Sequence, residues 1–260
     1  MTELRYDVNL SILFTELPLL ERPKAAADAG FDAVELWWPF AEPVPADQDV
    51  DALAVALDEA GVRLVGLNFD AGDMAAGDRG LLSARSTSQR FRDNIDVTVG
   101  FAQRMGCTVL NALYGNTAED TDPELALENL ALAAKAAQTV GATVVVEALN
   151  SYESARYPIV SSAAALRIVD QVPGTAFLAD FYHLARMGED VPALIGGSAE
   201  RFGHVQIADT PGRGQPGTGE LDFAEIFRLV ADSPYDGHIG LEYKPVGASE
   251  DSFGWLEDAR

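Results

Sequence analysis

Short apolar runs alternate along this chain with longer segments rich in Ala and Leu. Short runs that end at turn residues are typical of buried strands, and the longer segments have the period of helices. The pattern predicts strands over residues 7–11, 33–37, 63–68, 108–112, 143–147, 175–180, 203–207 and 238–242. It predicts helices over residues 18–29, 48–60, 85–105, 122–139, 160–171, 190–199, 222–231 and 249–258. Strands and helices in this alternation predict an α/β fold, a single-domain (β/α)₈ TIM barrel over residues 1–260.

Polar side chains end four of the predicted strands, and they are Glu147, Asp180, Gln206 and Glu242. Each lies about one strand and one helix further along the chain than the last, and the strands of such a barrel point their C-terminal ends at one mouth. Side chains two apart on a strand face the same way, so we expect all four to face the barrel axis. The sequence therefore predicts one pocket that contains three carboxylates and an amide.

Three carboxylates in one pocket repel each other. The repulsion must be relieved either by a cation or by one carboxyl group that keeps its proton. Oxygen ligands favour Mg²⁺ or Mn²⁺ over Zn²⁺. The sequence therefore allows either a divalent metal site or a metal-independent site.

The three histidines differ in their predicted positions. His183 lies three residues after Asp180, where it either donates to a substrate oxygen or caps the following segment. His204 is expected to face inward one layer below Gln206 and to support the site from the core. His238 is predicted to be structural.

Two glycine-rich loops follow predicted strands, at residues 68–83 and 209–220, and we expect them to cover the mouth. The second loop contains Arg213, which we predict to bind a substrate carboxylate because a guanidinium offers two parallel donors. Lys244 is the alternative cation for this role, unless it only pairs with Glu242.

Aromatic and amide side chains are predicted at the rim of the mouth. Alternation allows only one of Trp37 and Trp38 to face inward, and we expect Trp37, which is in phase with Glu35. It either packs at the rim or walls the pocket and limits substrate length. Asn68, at the end of its strand, is a further substrate-binding candidate.

The chain has 41 acidic and 18 basic residues and a formal net charge of −23. Since no basic patch offsets this charge, we expect no nucleic acid and no anionic membrane as partner. A lone Cys107 cannot form an internal disulfide, the N-terminus lacks a signal pattern, and no apolar stretch approaches the ~20 residues of a membrane span. We predict a cytoplasmic protein, and a homo-oligomer is left open.

Seven segments, spread over nearly the whole chain, carry a resemblance to one protein family. They are AsnLeuSerIleLeuPheThrGlu (9–16), AlaGlyPheAspAlaValGlu (29–35), AlaGlyAspMetAlaAlaGlyAspArgGly (71–80), AspPheTyrHisLeuAlaArgMet (180–187), GlyHisValGlnIleAlaAsp (203–209), ProGlyThrGlyGlu (216–220) and GluTyrLysPro (242–245). They resemble the hydroxypyruvate isomerase family of xylose-isomerase-like (β/α)₈ barrels, which includes the 2-oxo-tetronate isomerases. The resemblance implies an intramolecular oxidoreductase of carbohydrate and glyoxylate metabolism.

The resemblance also implies residue roles. Glu147 and Glu242 occupy the positions of the paired proton donor and acceptor. Similarity to metal-dependent sugar epimerases of the same superfamily implies that Glu147, Asp180, Gln206 and Glu242 surround a divalent cation. Those epimerases have a His where this chain has Gln206, whose amide oxygen is a weaker, neutral ligand.

Several reactions could use such a pair of carboxylates. Hydroxypyruvate and 2-hydroxy-3-oxopropanoate interconvert when a proton moves between neighbouring carbons through an enediolate, which needs a base, an acid and positive charge near the oxygens. A four-carbon 2-oxo-tetronate, or a ketose undergoing epimerisation at its third carbon, could use the same site. A metal-dependent hydrolase such as an abasic-site endonuclease would need a His-rich cluster and a basic face, and three histidines with a charge of −23 argue against it. A non-catalytic sugar-acid-binding barrel is the remaining alternative.

Overall fold

Eight parallel strands close into a barrel in the computed structural model, which describes residues 3–257. The strands are β1 (Arg5–Asn9), β2 (Ala33–Leu36), β3 (Arg63–Asn68), β4 (Val109–Asn111), β5 (Thr143–Glu147), β6 (Thr175–Asp180), β7 (Phe202–Ile207) and β8 (His238–Leu241). Each strand pairs with the next along the chain, and β8 pairs with β1. The predicted TIM-barrel fold is confirmed.

Helices surround the barrel. They are α1 (Arg22–Asp28), α2 (Asp47–Ala60), α3 (Arg85–Met105), α4 (Pro123–Gln138), α5 (Ser162–Gln171), α6 (Phe181–Arg186), α7 (Val191–Ser198) and α8 (Phe223–Asp232). Short 3-10 helices cover Leu19–Glu21, Ala199–Arg201 and Ser249–Glu257. Within residues 3–257, no helix is both long enough and apolar enough to cross a membrane.

Local sequence signals set several helix ends. Helix α4 begins with Pro123, and the Asp122 carboxylate before it accepts hydrogen bonds from two backbone N–H groups of the first turn. Helices α2 and α3 end at Gly61 and Gly106, whose φ angles of 70° and 67° are left-handed and favour glycine. These signals explain why the predicted bounds of the three helices lie close to the observed ones.

The apolar core lies between the strands and the helices. Val144 and Val146 of β5 belong to this layer. Val145, between them, faces the barrel interior, where a Cβ added to Gly203 would lie 2.7 Å from its side chain. The alternation predicted for β5 is therefore present, and polar residues on the inward faces are enclosed by apolar layers.

Strand β1 begins two residues earlier than predicted and covers Arg5–Asn9 instead of 7–11. Its first residue pairs with His238 of β8. The chain turns after β1 because the Asn9 side-chain oxygen accepts a hydrogen bond from the Ser11 N–H at 2.9 Å. Pairing with a distant strand and a local side-chain turn set these bounds, and the apolar pattern alone does not show either.

The helix predictions need three corrections. Helix α6 follows β6 directly and was not predicted, because six residues are too few to show a helical period; Asp180 caps it by accepting from the His183 N–H at 3.1 Å. The predicted helix 18–29 begins with a 3-10 turn before α1. The predicted helix 249–258 is instead the last 3-10 helix, and its final residue lies outside the described residues.

One buried carboxylate, that of Asp209, organises the loop after β7. It accepts hydrogen bonds of 2.8–3.1 Å from the backbone N–H groups of Thr210, Gly217, Gly219 and Leu221. These bonds hold the loop in the shape that places Arg213 against a cavity at the barrel mouth.

We expect Asp209→Ala to lower the free energy of unfolding by at least about 2 kcal/mol, because four backbone donors lose their acceptor. Thermal or denaturant unfolding measures the effect. Asp236→Ala removes an exposed carboxylate and is the control, which should stay within about 0.5 kcal/mol of the wild type. Equal stability of the two variants would contradict the organising role of Asp209.

Candidate active site

Strands β5, β6 and β8 bring three carboxylates together at their C-terminal ends. One oxygen each of Glu147, Asp180 and Glu242 and one ring nitrogen of His183 lie within 4.8 Å of one another. All four side chains are buried. Glu147, His183 and Glu242 line a cavity of about 480 Å³ at this end of the barrel.

Glu242 is held by donors on both of its oxygens. Its Oε1 accepts hydrogen bonds from Asn9 Nδ2 at 3.0 Å, Trp37 Nε1 at 2.7 Å and Gln206 Nε2 at 3.2 Å. Its Oε2 accepts a hydrogen bond from the Arg213 guanidinium. Trp37 therefore faces the site, as its phase predicts, and it contacts the proposed proton-transfer residue directly.

Glu147 is held more loosely. Its Oε2 accepts a hydrogen bond from Asn111 Nδ2 at 2.8 Å, and its Oε1 lies 3.9 Å from His183 Nε2. Burial, and then the charges of Glu242 and Asp180, raise the pKa of Glu147 well above its usual value. The Glu147 carboxylate therefore has a strong tendency to take up a proton.

The other two carboxylates have raised pKa values as well. Burial raises the pKa of Glu242 to about 7 and the pKa of Asp180 to about 6, although the charge of Arg213 opposes both shifts. Without a cation, the three carboxylates therefore share at least one proton near neutral pH. The repulsion expected from the sequence is present in the structure.

His183 is a neutral hydrogen-bond donor facing this cluster. Its Nδ1 accepts the Asn150 backbone N–H at 3.0 Å, so the neutral ring carries its proton on Nε2, which lies 3.7 Å from Asp180 Oδ2. Burial, followed by the charges of Arg213 and Arg79, holds the pKa of His183 well below its usual value. The sequence left two roles open for His183, capping the following segment or contacting the substrate. The Asp180 side chain caps α6, and the His183 ring is directed at the site.

Arg213 supplies the positive charge that pairs with Glu242. Its side chain is only 13% exposed, and its guanidinium pairs with Glu242 and lies 3.9 Å from Glu153. The guanidinium also lies over the Tyr182 ring, 5.3 Å from the centroid. Lys244 forms no ion pair with Glu242 among the described residues. Its side chain is 63% exposed, and its Nζ lies 3.9 Å from Glu153 instead.

The amide of Gln206 is oriented by its neighbours. Its Nε2 donates to Glu35 Oε1 at 2.7 Å and to Glu242 Oε1 at 3.2 Å. This leaves Gln206 Oε1 buried and without a hydrogen-bond partner in the part of the chain that the structure describes. An unpartnered carbonyl oxygen on a side chain that contacts Glu242 fits a hard divalent cation such as Mg²⁺ or Mn²⁺.

A second polar layer lies beneath the site, and its central residue, Glu35, had no role in the sequence predictions. The Glu35 carboxylate accepts from Asn9 Nδ2 at 2.9 Å and from Gln206, and it lies 2.7 Å from His204 Nε2. Burial opposes protonation of His204, but the Glu35 carboxylate raises the pKa of His204 above its usual value. The inward phase that Glu35 shares with Trp37 was the only sequence signal for this position.

Space for this layer comes from glycines on neighbouring strands. A Cβ on Gly240 would lie 2.9 Å from Glu35 Oε1, and a Cβ on Gly66 would lie 3.1 Å from Glu35 Oε2. Asp7 completes the layer, with both oxygens buried and without a partner among residues 3–257. Burial, and then the charge of Glu35, raise the pKa of Asp7 well above its usual value and favour its protonated form.

Loop residues form the upper wall of the cavity. Asn68, predicted to contact substrate, lines it from the end of β3. Arg79 lines it from the loop after β3, so Arg213 is not the only loop cation at the mouth. Arg79 could not be identified from the sequence, because a loop without a period does not show which of its side chains face inward.

Residues 23–259 match the family model described as "Xylose isomerase-like TIM barrel". A Streptomyces coelicolor protein named "Putative hydroxypyruvate isomerase" is 56% identical over 97% of this chain and 95% of its own length. A 2-oxo-tetronate isomerase from Pectobacterium atrosepticum is 33% identical over 97% of each chain. A crystal structure described as an AP endonuclease, family 2, from Brucella melitensis is 36% identical with a TM-score of 0.90, over 99% of this chain and all of that one.

The chain therefore belongs to the xylose isomerase-like TIM-barrel family, and within it to the hydroxypyruvate isomerase family. The resemblance inferred from segments such as 203–209 and 242–245 is confirmed.

Gly240→Ala tests the packing of the Glu35 layer. The new methyl group would meet Glu35 Oε1 and, at 3.1 Å, Gln206 Cγ, so we expect a loss of about 1–3 kcal/mol in the free energy of unfolding. Gly100→Ala is the matched control, because no atom lies within 4 Å of its added Cβ and it lies inside α3. There we expect a gain of about 0.5–1 kcal/mol. A Gly240→Ala protein as stable as the wild type in thermal unfolding would contradict the tight packing.

Proposed function

We propose that this isomerase interconverts hydroxypyruvate and 2-hydroxy-3-oxopropanoate by proton transfer through an enediolate. The observation that carries the proposal is the pair Glu147 and Glu242, two buried carboxylates with raised pKa values on one cavity. The name of the 56% identical relative supports the substrate. Membership of the family supports the class of reaction.

In the proposed reaction, one of the two glutamates removes a proton from C3 of hydroxypyruvate and the other delivers a proton to C2, while the proton of the C3 hydroxyl group moves to the C2 oxygen. Carboxyl groups whose pKa values are raised by burial can serve both as proton acceptors and as proton donors in such a reaction. His183 Nε2 donates a hydrogen bond to the oxygen on which negative charge develops, and the low pKa of His183 keeps it a neutral donor. The reverse reaction exchanges the roles of the glutamates.

We propose that a divalent cation, Mg²⁺ or Mn²⁺, binds Glu147, Asp180, Gln206 and Glu242. The close spacing of the Glu147, Asp180 and Glu242 carboxylate oxygens and the unpartnered Gln206 Oε1 support this site. When bound, such a cation would polarise the substrate oxygens and stabilise the enediolate charge. The alternative is a metal-independent site in which the carboxylates share a proton.

The proposed substrate contacts are His183, Arg213, Asn68 and Lys244, all of which line the cavity. Arg213 already forms an ion pair with Glu242, so we propose that it acts both on substrate and as the counter-ion of that glutamate. Lys244 is the most exposed of the four and contributes long-range attraction for an anionic substrate.

A 2-oxo-tetronate is the second candidate substrate. The 33% identical 2-oxo-tetronate isomerase supports it, and a cavity of about 480 Å³ has room for a fourth carbon. An endonuclease activity, suggested by the description of the Brucella melitensis structure, is disfavoured for this chain. Its net charge of −23 would repel a DNA backbone, and its acid cluster contains a single His.

Replacing either glutamate by Gln keeps its shape but removes its ability to cycle a proton. We expect Glu147→Gln and Glu242→Gln each to lose at least about 10²–10⁴ in kcat with hydroxypyruvate. The double variant should be little slower than the poorer single variant, because the two residues act as a unit. Glu220→Gln, at an exposed loop position, is the control. A Glu242→Gln enzyme with near-normal turnover of both hydroxypyruvate and 2-oxo-tetronate would overturn the two-carboxylate mechanism.

The raised carboxyl pKa values give the metal-free protein a pH-dependent stability. A group whose pKa is raised on folding stabilises the protein below its unfolded pKa, and this stabilisation is lost as the pH rises through the folded values of about 6 and 7 for Asp180 and Glu242. We expect the Tm of chelated protein to be at least about 4 °C lower at pH 8 than at pH 5.5.

Metal binding should reverse this trend, because the cation competes with protons for the same oxygens. Saturating Mn²⁺ should therefore raise the Tm more at pH 8 than at pH 5.5, and Glu242→Gln should reduce both effects. A Tm that responds to neither pH nor Mn²⁺ would contradict the proposed metal site.

A further inference from the structure

The cations that line the cavity differ in whether an acid neutralises them. Arg213 pairs with Glu242 and lies near Glu153, and Lys244 lies near Glu153 as well. Arg79 forms no ion pair with any acid of residues 3–257; its hydrogen bonds all go to neutral acceptors. The positive charge of Arg79 on the cavity wall is therefore available to bind a ligand.

Neutral acceptors hold the Arg79 guanidinium in place. Its Nε donates to Ser154 Oγ at 3.1 Å, and its Nη1 donates to the carbonyl oxygens of Met74 at 3.0 Å and Asp78 at 2.6 Å. The Asp78 carboxylate points elsewhere and accepts from the Asp73 N–H at 3.0 Å. Within the described chain, Arg79 Nη2 has no hydrogen-bond partner, and Arg79 is one of the residues that line the cavity.

The backbone around Arg79 is also fixed. Gly80 forms an antiparallel bridge with Tyr114, and the Arg79 carbonyl accepts from the Gly115 N–H at 2.9 Å. A Cβ on Gly80 would lie 1.9 Å from the Leu113 carbonyl oxygen, so only glycine permits this approach. The guanidinium is therefore positioned before any ligand binds.

We propose that Arg79 binds the carboxylate of the substrate, so that the site selects short hydroxy-oxo acids over neutral sugars. The inference rests on the proposed function for the nature of the substrate. Arg213 would have to weaken its ion pair with Glu242 to bind a carboxylate, whereas Arg79 gives up no ion pair. With the carboxylate at Arg79, the neighbouring carbons extend toward Glu147 and His183, which line the same cavity.

A purely structural role, in which Arg79 only ties its loop to Ser154, would have different consequences. Its loss would then lower stability and impair the binding of all ligands alike.

The test uses the full-length enzyme with Arg79→Met and Arg79→Lys. Arg156→Met is the control, because it removes the same charge from an exposed position outside the cavity. The measurements are KM and kcat for hydroxypyruvate, the Kd of D-glycerate by calorimetry, and the Tm. D-Glycerate carries the carboxylate but has no ketone or aldehyde group. It cannot be isomerised, so its binding is measured without turnover.

For Arg79→Met we expect KM and the Kd of D-glycerate to rise about 10- to 150-fold, the loss of one charge-assisted contact. The kcat at saturation should stay within about threefold, and Arg79→Lys should recover part of the affinity. An unchanged Kd for D-glycerate would overturn the role of Arg79. A lower Tm together with a decrease in kcat as large as the increase in KM would overturn it as well. A wild-type enzyme that binds D-glycerate through Arg79 but does not isomerise hydroxypyruvate would overturn the proposed function and leave the carboxylate site standing.

Discussion

The burial of several carboxylates inside an apolar barrel is the constraint on which the rest of this structure depends. The acids buried nearest the barrel axis are Asp7, Glu35, Glu147, Asp180 and Glu242. An unpaired charge in such surroundings is costly, so each acid must be protonated, paired or bound to a cation. Arg213 pairs with Glu242 at the mouth, and His204 lies against Glu35 beneath it. The Asp209 loop holds Arg213 in position, and inward glycines leave room for Glu35.

The two glutamates of the proposed mechanism are held unequally. Donors reach both oxygens of Glu242, including the charged Arg213, whereas Glu147 accepts one direct side-chain hydrogen bond, from Asn111. This asymmetry favours the anion at Glu242 and the protonated form at Glu147. Environments that separate the pKa values of two nearby acids are what an acid–base pair needs. The amide of Gln206 connects this pair to the deeper layer, because it donates to Glu242 and to Glu35 at the same time.

Much of the fold could be predicted from the sequence, because hydrophobic periodicity reports directly on strands and helices packed in a barrel. The convergence of Glu147, Asp180, Gln206 and Glu242 follows from the parallel strand order alone. The short helix α6 could not be predicted, since its capping by Asp180 is a local hydrogen bond without a period.

The remaining site residues depend on contacts between elements far apart in sequence. Glu35 faces inward by alternation, but its role arises only when Gln206 and His204 meet it across the barrel. Arg79 lies in a loop whose shape is set by its pairing with the segment after β4, and no pattern in its own sequence reports that shape. The partner of Arg213 depends in the same way on how the loop after β7 packs beside the end of β8.

Deuterium incorporation during turnover in D₂O tests proton transfer between the two carboxylates most directly. Protons held by glutamates exchange with solvent, so hydroxypyruvate isomerised in D₂O should yield product with deuterium at C2, which NMR detects. Product in which the hydrogen from C3 arrives at C2 without any exchange would indicate a direct hydride shift, and would contradict the proton transfer through Glu147 and Glu242.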